Sequence, residues 1–274
     1  ATKVTEAPLL DDARKILGTS LYLFNQLSDF VLNAEHFPKL VDLPSESLWM
    51  FPIPKPFNVD RESSIERYYA YDYESGEIRT PEKISGLIRG QKRGDLVIAH
   101  QIRRTAVNLI KKSNSDSYGP RRIFCASLAA QSFINLFAAN TGMNLGSIAS
   151  LRWNGQYDTP TEKMGFKTIK PRANNRGVSF HISSNFLPKF KKYLKLRSYI
   201  LKALDVDDCD YLFFAVKNAE VEPISMDFSH LYNLRLERNF GIDVKITMRQ
   251  WRALKSNWLI AMTDLRTAAL ILQN

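Results

Sequence analysis

Apolar residues recur at helical spacing near the start of the chain: Leu9, Leu10, Ala13, Ile16, Leu17, Leu21, Phe24, Leu27 and Val31. Such a stripe predicts one long amphipathic helix over 9–34, with a single face turned to a core. The pattern stops at 37–60, where Pro38, Pro44, Pro52, Pro54 and Pro56 lie among aromatics. Proline fixes φ and removes a donor, so this stretch reads as an extended connector that packs Trp49, Phe51 and Phe57 onto something else. The tyrosine-rich stretch 63–75 predicts a helix or a strand with one buried aromatic face. Thr80-Pro81-Glu82-Lys83 reads as a helix start, with Thr80 as N-cap and Pro81 at the first helical position. Helical pattern then runs to about Lys112, with interruptions near Gly90 and Gly94.

The polar run Ser113-Asn114-Ser115-Asp116-Ser117-Tyr118-Gly119-Pro120 reads as a linker. An apolar helix follows at 123–140 (Ile123, Phe124, Leu128, Phe133, Ile134, Leu136, Phe137), and Thr141-Gly142 ends it, glycine being suited to a left-handed cap. A short helix over Leu145–Leu151 leads to Arg152-Trp153. Phe166–Lys170 and Val178–Ile182 alternate around a turn rich in Asn and Gly, which predicts a β-hairpin. Residues 186–203 predict a basic helix with its apolar side (Phe186, Leu187, Phe190, Leu194) docked on a core. Tyr211–Phe214 reads as a short buried strand, and helices are predicted at 225–240 and about 247–262. The fold class is mainly α with a small antiparallel sheet (α+β). Two units are expected: a helical N-terminal region at 1–118 and a second domain at 119–274.

The formal net charge of +10 over 274 residues points to an anionic partner: nucleic acid, an anionic membrane surface or an acidic protein. No apolar run approaches the ~20 residues of a membrane span, and the N-terminus has no signal-peptide core, so no membrane role and a cytoplasmic setting (nucleoid-associated in a bacterium) are expected. Cys125 and Cys209 make neither a disulfide framework nor a zinc site; a reducing setting, no metal and no cofactor are expected. Cations cluster at 89–112, notably Arg103, Arg104, Lys111 and Lys112, and along 186–203, notably Lys189 and Lys192. Each cluster is either a solvated helix face or a phosphate-contacting one.

Three stretches, taken in order, resemble the catalytic domain of the tyrosine recombinases, the phage-integrase family. Phe133–Trp153 resembles its first box, an apolar helix ending in Thr-Gly, then a position for arginine, then a short helix closing on Leu-x-Trp. The hairpin 166–182 resembles the family's element bearing a catalytic lysine, and Ile246-Thr247-Met248-Arg249-Gln250-Trp251-Arg252 resembles its second box. The likeness covers about residues 123–274; in the family a basic, helical DNA-clamping domain precedes this region.

The resemblance implies attack of a tyrosine on a scissile DNA phosphate, with two arginines clamping the phosphoryl oxygens and a lysine protonating the leaving oxygen. Carried over residue by residue, the first arginine falls on Asn144 and the acidic position after it on Ser147. The lysine falls on Lys170, with Lys167 as second choice; the histidine of the second box falls on Arg249, and its arginine on Arg252, a match. A later histidine or tryptophan position falls on Asn274, the nucleophile's place falls beyond it, and no tyrosine follows Tyr232. Arg152 lies eight residues past Asn144, beyond the short helix, and is a poor substitute for the missing arginine. Arg172 and Arg176 in the hairpin turn are candidate DNA contacts. Read structurally instead, Arg252 supports Trp251, Lys170 is a turn lysine, and His181 is a structural histidine facing away from Phe180. Two functions are expected: a recombinase-like protein that binds and cuts double-stranded DNA, or a catalytically degenerate DNA-binding or assembly protein on the same fold. Homo-oligomerisation on DNA, or association with an active recombinase, would accompany either. A basic helical protein binding RNA or an acidic partner is a third expectation.

Overall fold

The computed structural model describes residues 5–54, 56–57, 68–88, 95–153, 157–158, 162–163, 166–171 and 180–262. The first apolar stripe forms α1, Leu10–Leu32, with Asp11 and Asp12 in its first turn, where carboxylates complement the helix dipole. The proline-rich connector is more ordered than expected: β1 (Lys39–Asp42) and β2 (Ser47–Met50) pair antiparallel, Lys39 opposite Met50. Trp49, Phe51 and Phe57 do pack inward. From Tyr68 onward the tyrosine-rich stretch is neither helix nor strand. It is a turn closed by a bridge between Tyr71 and Ile78, and Tyr68 and Tyr71 are buried as expected of an aromatic face. Arg79 replaces regular pairing here, donating to the carbonyls of Tyr69 and Tyr71 at 3.1 and 2.7 Å.

Helix α2 (Pro81–Leu87) starts as its cap predicts, the Thr80 hydroxyl accepting from the Lys83 N–H. Then come α3 (Asp95–Ser115), α4 (Pro120–Thr141) and α5 (Leu145–Ser150). Strands β3 (Tyr157–Asp158), β4 (Glu162–Lys163), β5 (Phe166–Pro171) and β6 (Phe180–Ser183) make a four-stranded antiparallel sheet around the expected hairpin. Helix α6 spans Leu187–Ala203. A second hairpin, β7 (Phe214–Lys217) and β8 (Glu220–Pro223), turns through Asn218 and Ala219 at φ 50° and 63°, the left-handed pair that suits strand twist. Helices α7 (Phe228–Phe240) and α8 (Met248–Met262) complete the described fold. Thr247 and Gln250 cap α8 reciprocally, the Gln250 side chain accepting from the Thr247 N–H at 3.0 Å and the Thr247 hydroxyl from the Gln250 N–H at 3.3 Å.

Helix α4 is the centre, packed by α1, α6, α7 and α8. Phe133 alone meets Phe24, Tyr193 and Phe186 at ring-centroid distances of 4.9, 4.5 and 5.4 Å. A helix surrounded on most sides must be apolar most of the way round. That is why α4 alone among the described helices is long and apolar enough to cross a membrane, although most of it is buried inside the fold. The expectation that no run approaches that length is corrected accordingly. A polar chain crosses this core. The Ser20 hydroxyl lies 2.8 Å from that of Tyr232, which donates to Ser132 at 3.1 Å; Asn135 donates to Ser20 at 3.2 Å and accepts from the Trp251 indole at 2.9 Å.

The packing divides the chain differently from a boundary at 118. Helix α1 and the β1–β2 hairpin share one core with residues 120–251, whereas Phe51, Ile53, Tyr68, Tyr71, Ile84, Ala99 and Ala106 form a separate, smaller core under α2 and α3. The physical reason is the α1 stripe, whose Leu23, Phe24 and Leu27 are fully buried in the larger core. Of the 113–120 run, Ser113 to Ser115 end α3 and Pro120 begins α4, which leaves a short tied turn at 116–119. Arg122, only 1% exposed, donates to the carbonyls of Ser113 (3.3 Å), Phe30 (3.4 Å) and Glu35, and lies over the Phe30 ring. One guanidinium thus joins the ends of α1 and α3 to the start of α4. Arg122→Met leaves those carbonyls without their donor and is expected to lower unfolding stability by about 3 kcal/mol. Urea denaturation with an unchanged m-value checks this; a loss below ~1 kcal/mol would show that water replaces the clamp.

Candidate functional site

The C-terminal turn of α4 is the point where separated segments meet. Thr141 returns its hydroxyl to the Phe137 carbonyl at 2.8 Å and accepts from the Met143 N–H at 3.2 Å. Gly142 takes φ 70°, a left-handed cap conformation in which a Cβ is strained. Asn144 then caps α5, its side-chain oxygen accepting from the Ser147 N–H at 2.8 Å. Two neighbours attach here. Asn140 donates to the Ser183 hydroxyl at 3.1 Å and accepts from the Ser183 N–H at 3.3 Å, which pins the end of the β5–β6 hairpin. Arg252 of α8 donates to the Gly142 carbonyl at 3.0 Å. A carbonyl at a helix C-terminus carries partial negative charge, so it holds a guanidinium well.

Arg249 stands one turn before Arg252 on the same face of α8. It is exposed and has no hydrogen bond or ion pair among the described residues. A cation in the first turn of a helix opposes the helix dipole, so helix stability does not account for it. Arg252, half-buried, is anchored on the turn that precedes Asn144, and Arg249, without a partner among the described residues, shares its face of α8. Their planar forks suit the oxygens of a phosphate or carboxylate. Asn144 itself is exposed, neutral and engaged as a cap.

The remaining candidates are placed as follows. Lys170 lies in β5 opposite Asp158, and Lys167 opposite Ile182 and Glu162; nothing further is described of their side chains. Arg172, Arg176 and Asn274 lie outside the described residues. Arg103, Arg104, Lys111 and Lys112 are exposed on α3. Lys189 is half-buried on α6, while Lys191 and Lys195 are exposed. Lys192 does not form part of a free basic face: it pairs with Asp29 at 2.8 Å and donates to the Asn25 carbonyl at 3.0 Å, so it docks α6 on α1. Arg197 of the same helix is buried and donates to the Cys209 and Tyr211 carbonyls at 2.6 and 2.7 Å. Arg152 pairs with Asp210 at 3.0 Å and stacks 3.9 Å over the Tyr211 ring, which is structural work. Tyr232 is enclosed in the core's polar chain, and burial pushes its hydroxyl up to about 12. His181 is half-buried, and burial lowers its pKa.

Lys255, one turn beyond Arg252, was not singled out by sequence. It is only 9% exposed, and its ammonium lies 4.2 Å over the Trp258 ring. Burial brings its pKa down to about 8. The available signal was its helical spacing between Trp251 and Trp258 on a predicted amphipathic helix.

Lys255 gives a pH dependence of definite sign. Its ordinary pKa of 10.5 falls to about 8 in the fold, so between these values the unfolded chain holds a proton that the folded one has lost. Stability therefore rises with pH across that window, and below pH 8 the buried charge destabilises the fold. Lys255→Met is expected to flatten this rise and to raise Tm at pH 7; thermal melts at pH 7, 8 and 9.5 check it, and an undiminished slope in the variant would exclude Lys255 as its source. For the cap, Gly142→Ala is expected to cost about 1 kcal/mol. An unchanged melting curve would show that the cap tolerates a Cβ.

Comparison of the chain with family models, curated proteins and solved structures finds no match in any of the three.

Proposed function

We propose that this protein binds duplex DNA through its phosphate backbone, with Arg249 and Arg252 as paired phosphate contacts, in an arrangement like that of the tyrosine recombinases. The observation that carries the reading is the convergence at the end of α4. The turn bearing Asn144, the β5–β6 hairpin and the α8 segment lie far apart in sequence, and Asn140 holds the end of the hairpin and Gly142 holds Arg252 at the end of α4, next to that turn. These are the three segments in which the chain resembles that family. A net charge of +10 and the exposed cations of α3 support an extended anionic partner over a small one.

Strand transfer is the second reading. Arg252 and the anchored hairpin favour it; the residues at Asn144 and Arg249 oppose it. A neutral amide at Asn144 gives no charged bidentate clamp, and loss of one such donor typically costs ~10²–10³ in rate.

Fluorescence anisotropy with a short labelled duplex tests the binding. Affinity should fall by about 10³ or more between ~50 and ~200 mM salt, and Arg249→Gln should reduce the slope of log affinity against log salt by about 1. Arg249 is exposed, so its replacement leaves the fold intact. Binding that ignores salt would sink the DNA reading. A nicked suicide duplex decides the second reading: a covalent protein–DNA adduct establishes strand transfer, and tight binding without one leaves a binding protein.

A further inference from the structure

Arg122 and Arg197 show how this fold satisfies a guanidinium that it needs for structure: each gives three hydrogen bonds to backbone carbonyls. Arg235 is different. It is half-buried on α7, and its side chain makes one hydrogen bond, to the neutral amide of Gln131 at 2.9 Å, with its guanidinium 6.0 Å from the Phe124 ring centre. It makes no ion pair among the described residues. Burial alone lowers its pKa, as expected of a cation losing water without gaining an anion.

That guanidinium lines a cleft of about 900 Å³ between α7 and the β7–β8 hairpin. Arg238, one turn on, lines the same cleft, is exposed and has no ion pair among the described residues. Lys217 and Glu222 from the hairpin also line it, 3.7 Å apart, and offset one another. Two positive charges are left over. The rest of the wall is apolar or neutral, including Leu231, Leu234 and Val216. The anchoring residue Gln131 lies eleven residues before Gly142, roughly 16 Å along α4, so the cleft is separate from the Arg249–Arg252 site.

We infer that this cleft is a second anion site, in which Arg235 and Arg238 take a phosphate group of a ligand. A preset guanidinium with spare donors can chelate two phosphate oxygens, and Arg238 supplies the second charge from the open side. The phosphate could belong to a free nucleotide, whose apolar body would lie on Leu231 and Leu234, or to a DNA strand; the second source rests on the function proposed above.

Calorimetric titration of the full chain with sodium pyrophosphate, with ATP and with a short duplex separates these sources. For a free ligand, pyrophosphate or ATP binds, and Arg235→Gln weakens it by about tenfold or more, Arg238→Gln by less. For a strand, the duplex binds, and each variant reduces the salt slope by about 1. Arg238→Gln alters an exposed side chain and so reads the site without risk to the fold; Lys195→Gln on α6 serves as the remote control. The inference is overturned if neither arginine variant changes the binding of any of the three. Pyrophosphate binding that depends on Arg235 in a protein that ignores duplex DNA would keep this site and sink the DNA reading alone.

Discussion

Ser20, Ser132, Asn135, Tyr232 and Trp251 form one hydrogen-bonded chain inside the larger core, and the arrangement of four helices depends on it. Apolar contacts give α1, α4, α7 and α8 a reason to associate but little reason to prefer one axial register. The Ser20 and Ser132 hydroxyls also bond carbonyls of their own helices, but the Tyr232 hydroxyl, the Asn135 amide and the Trp251 indole find their partners on other helices, and an unpartnered buried amide or hydroxyl costs about 1–3 kcal/mol. The position of Trp251 in turn sets Arg252, its neighbour on α8. The placement of the surface arginines is thus fixed several residues deep, from the middle of α4 outward.

The same helix fixes the other side of the site through its last turn. Asn140 and Gly142 are both near the C-terminus of α4, one holding a strand and the other an arginine. The turn's left-handed glycine directs a carbonyl outward, where a cation can use it. Among the described residues, charge inside the fold follows one rule: guanidiniums drawn into it are held by carbonyl oxygens more than by carboxylates. Arg122 and Arg197 obey it fully; Arg235 does not.

Most elements were legible because their signals are local. Thr80-Pro81, Thr141-Gly142 and the alternation of Phe166–Lys170 each specify a start, a stop or a strand through short-range chemistry, and each appears where expected. What was not legible depends on partners distant in sequence. The α1 stripe announces a buried face but not that the face lies against α4. Lys192 reads as one lysine among many, since Asp29 lies 163 residues away. The β7–β8 hairpin was hidden because its turn uses Asn218-Ala219, without the glycine that usually marks such a turn. For the site, the motif singled out Arg252, which does reach the turn before Asn144, whereas the buried environments of Lys255 and Arg235 come only from packing.

The two cores differ in size, and the charge is not shared in proportion. Arg103, Arg104, Lys111 and Lys112 stand on α3, whose apolar side rests on the smaller core. Like charges on one helix face repel, and a small core has less burial to set against that repulsion. A polyanion laid along α3 would remove the repulsion as it bound. The α2–α3 unit would then gain order from its ligand, so that occupancy and local folding become two readings of one equilibrium.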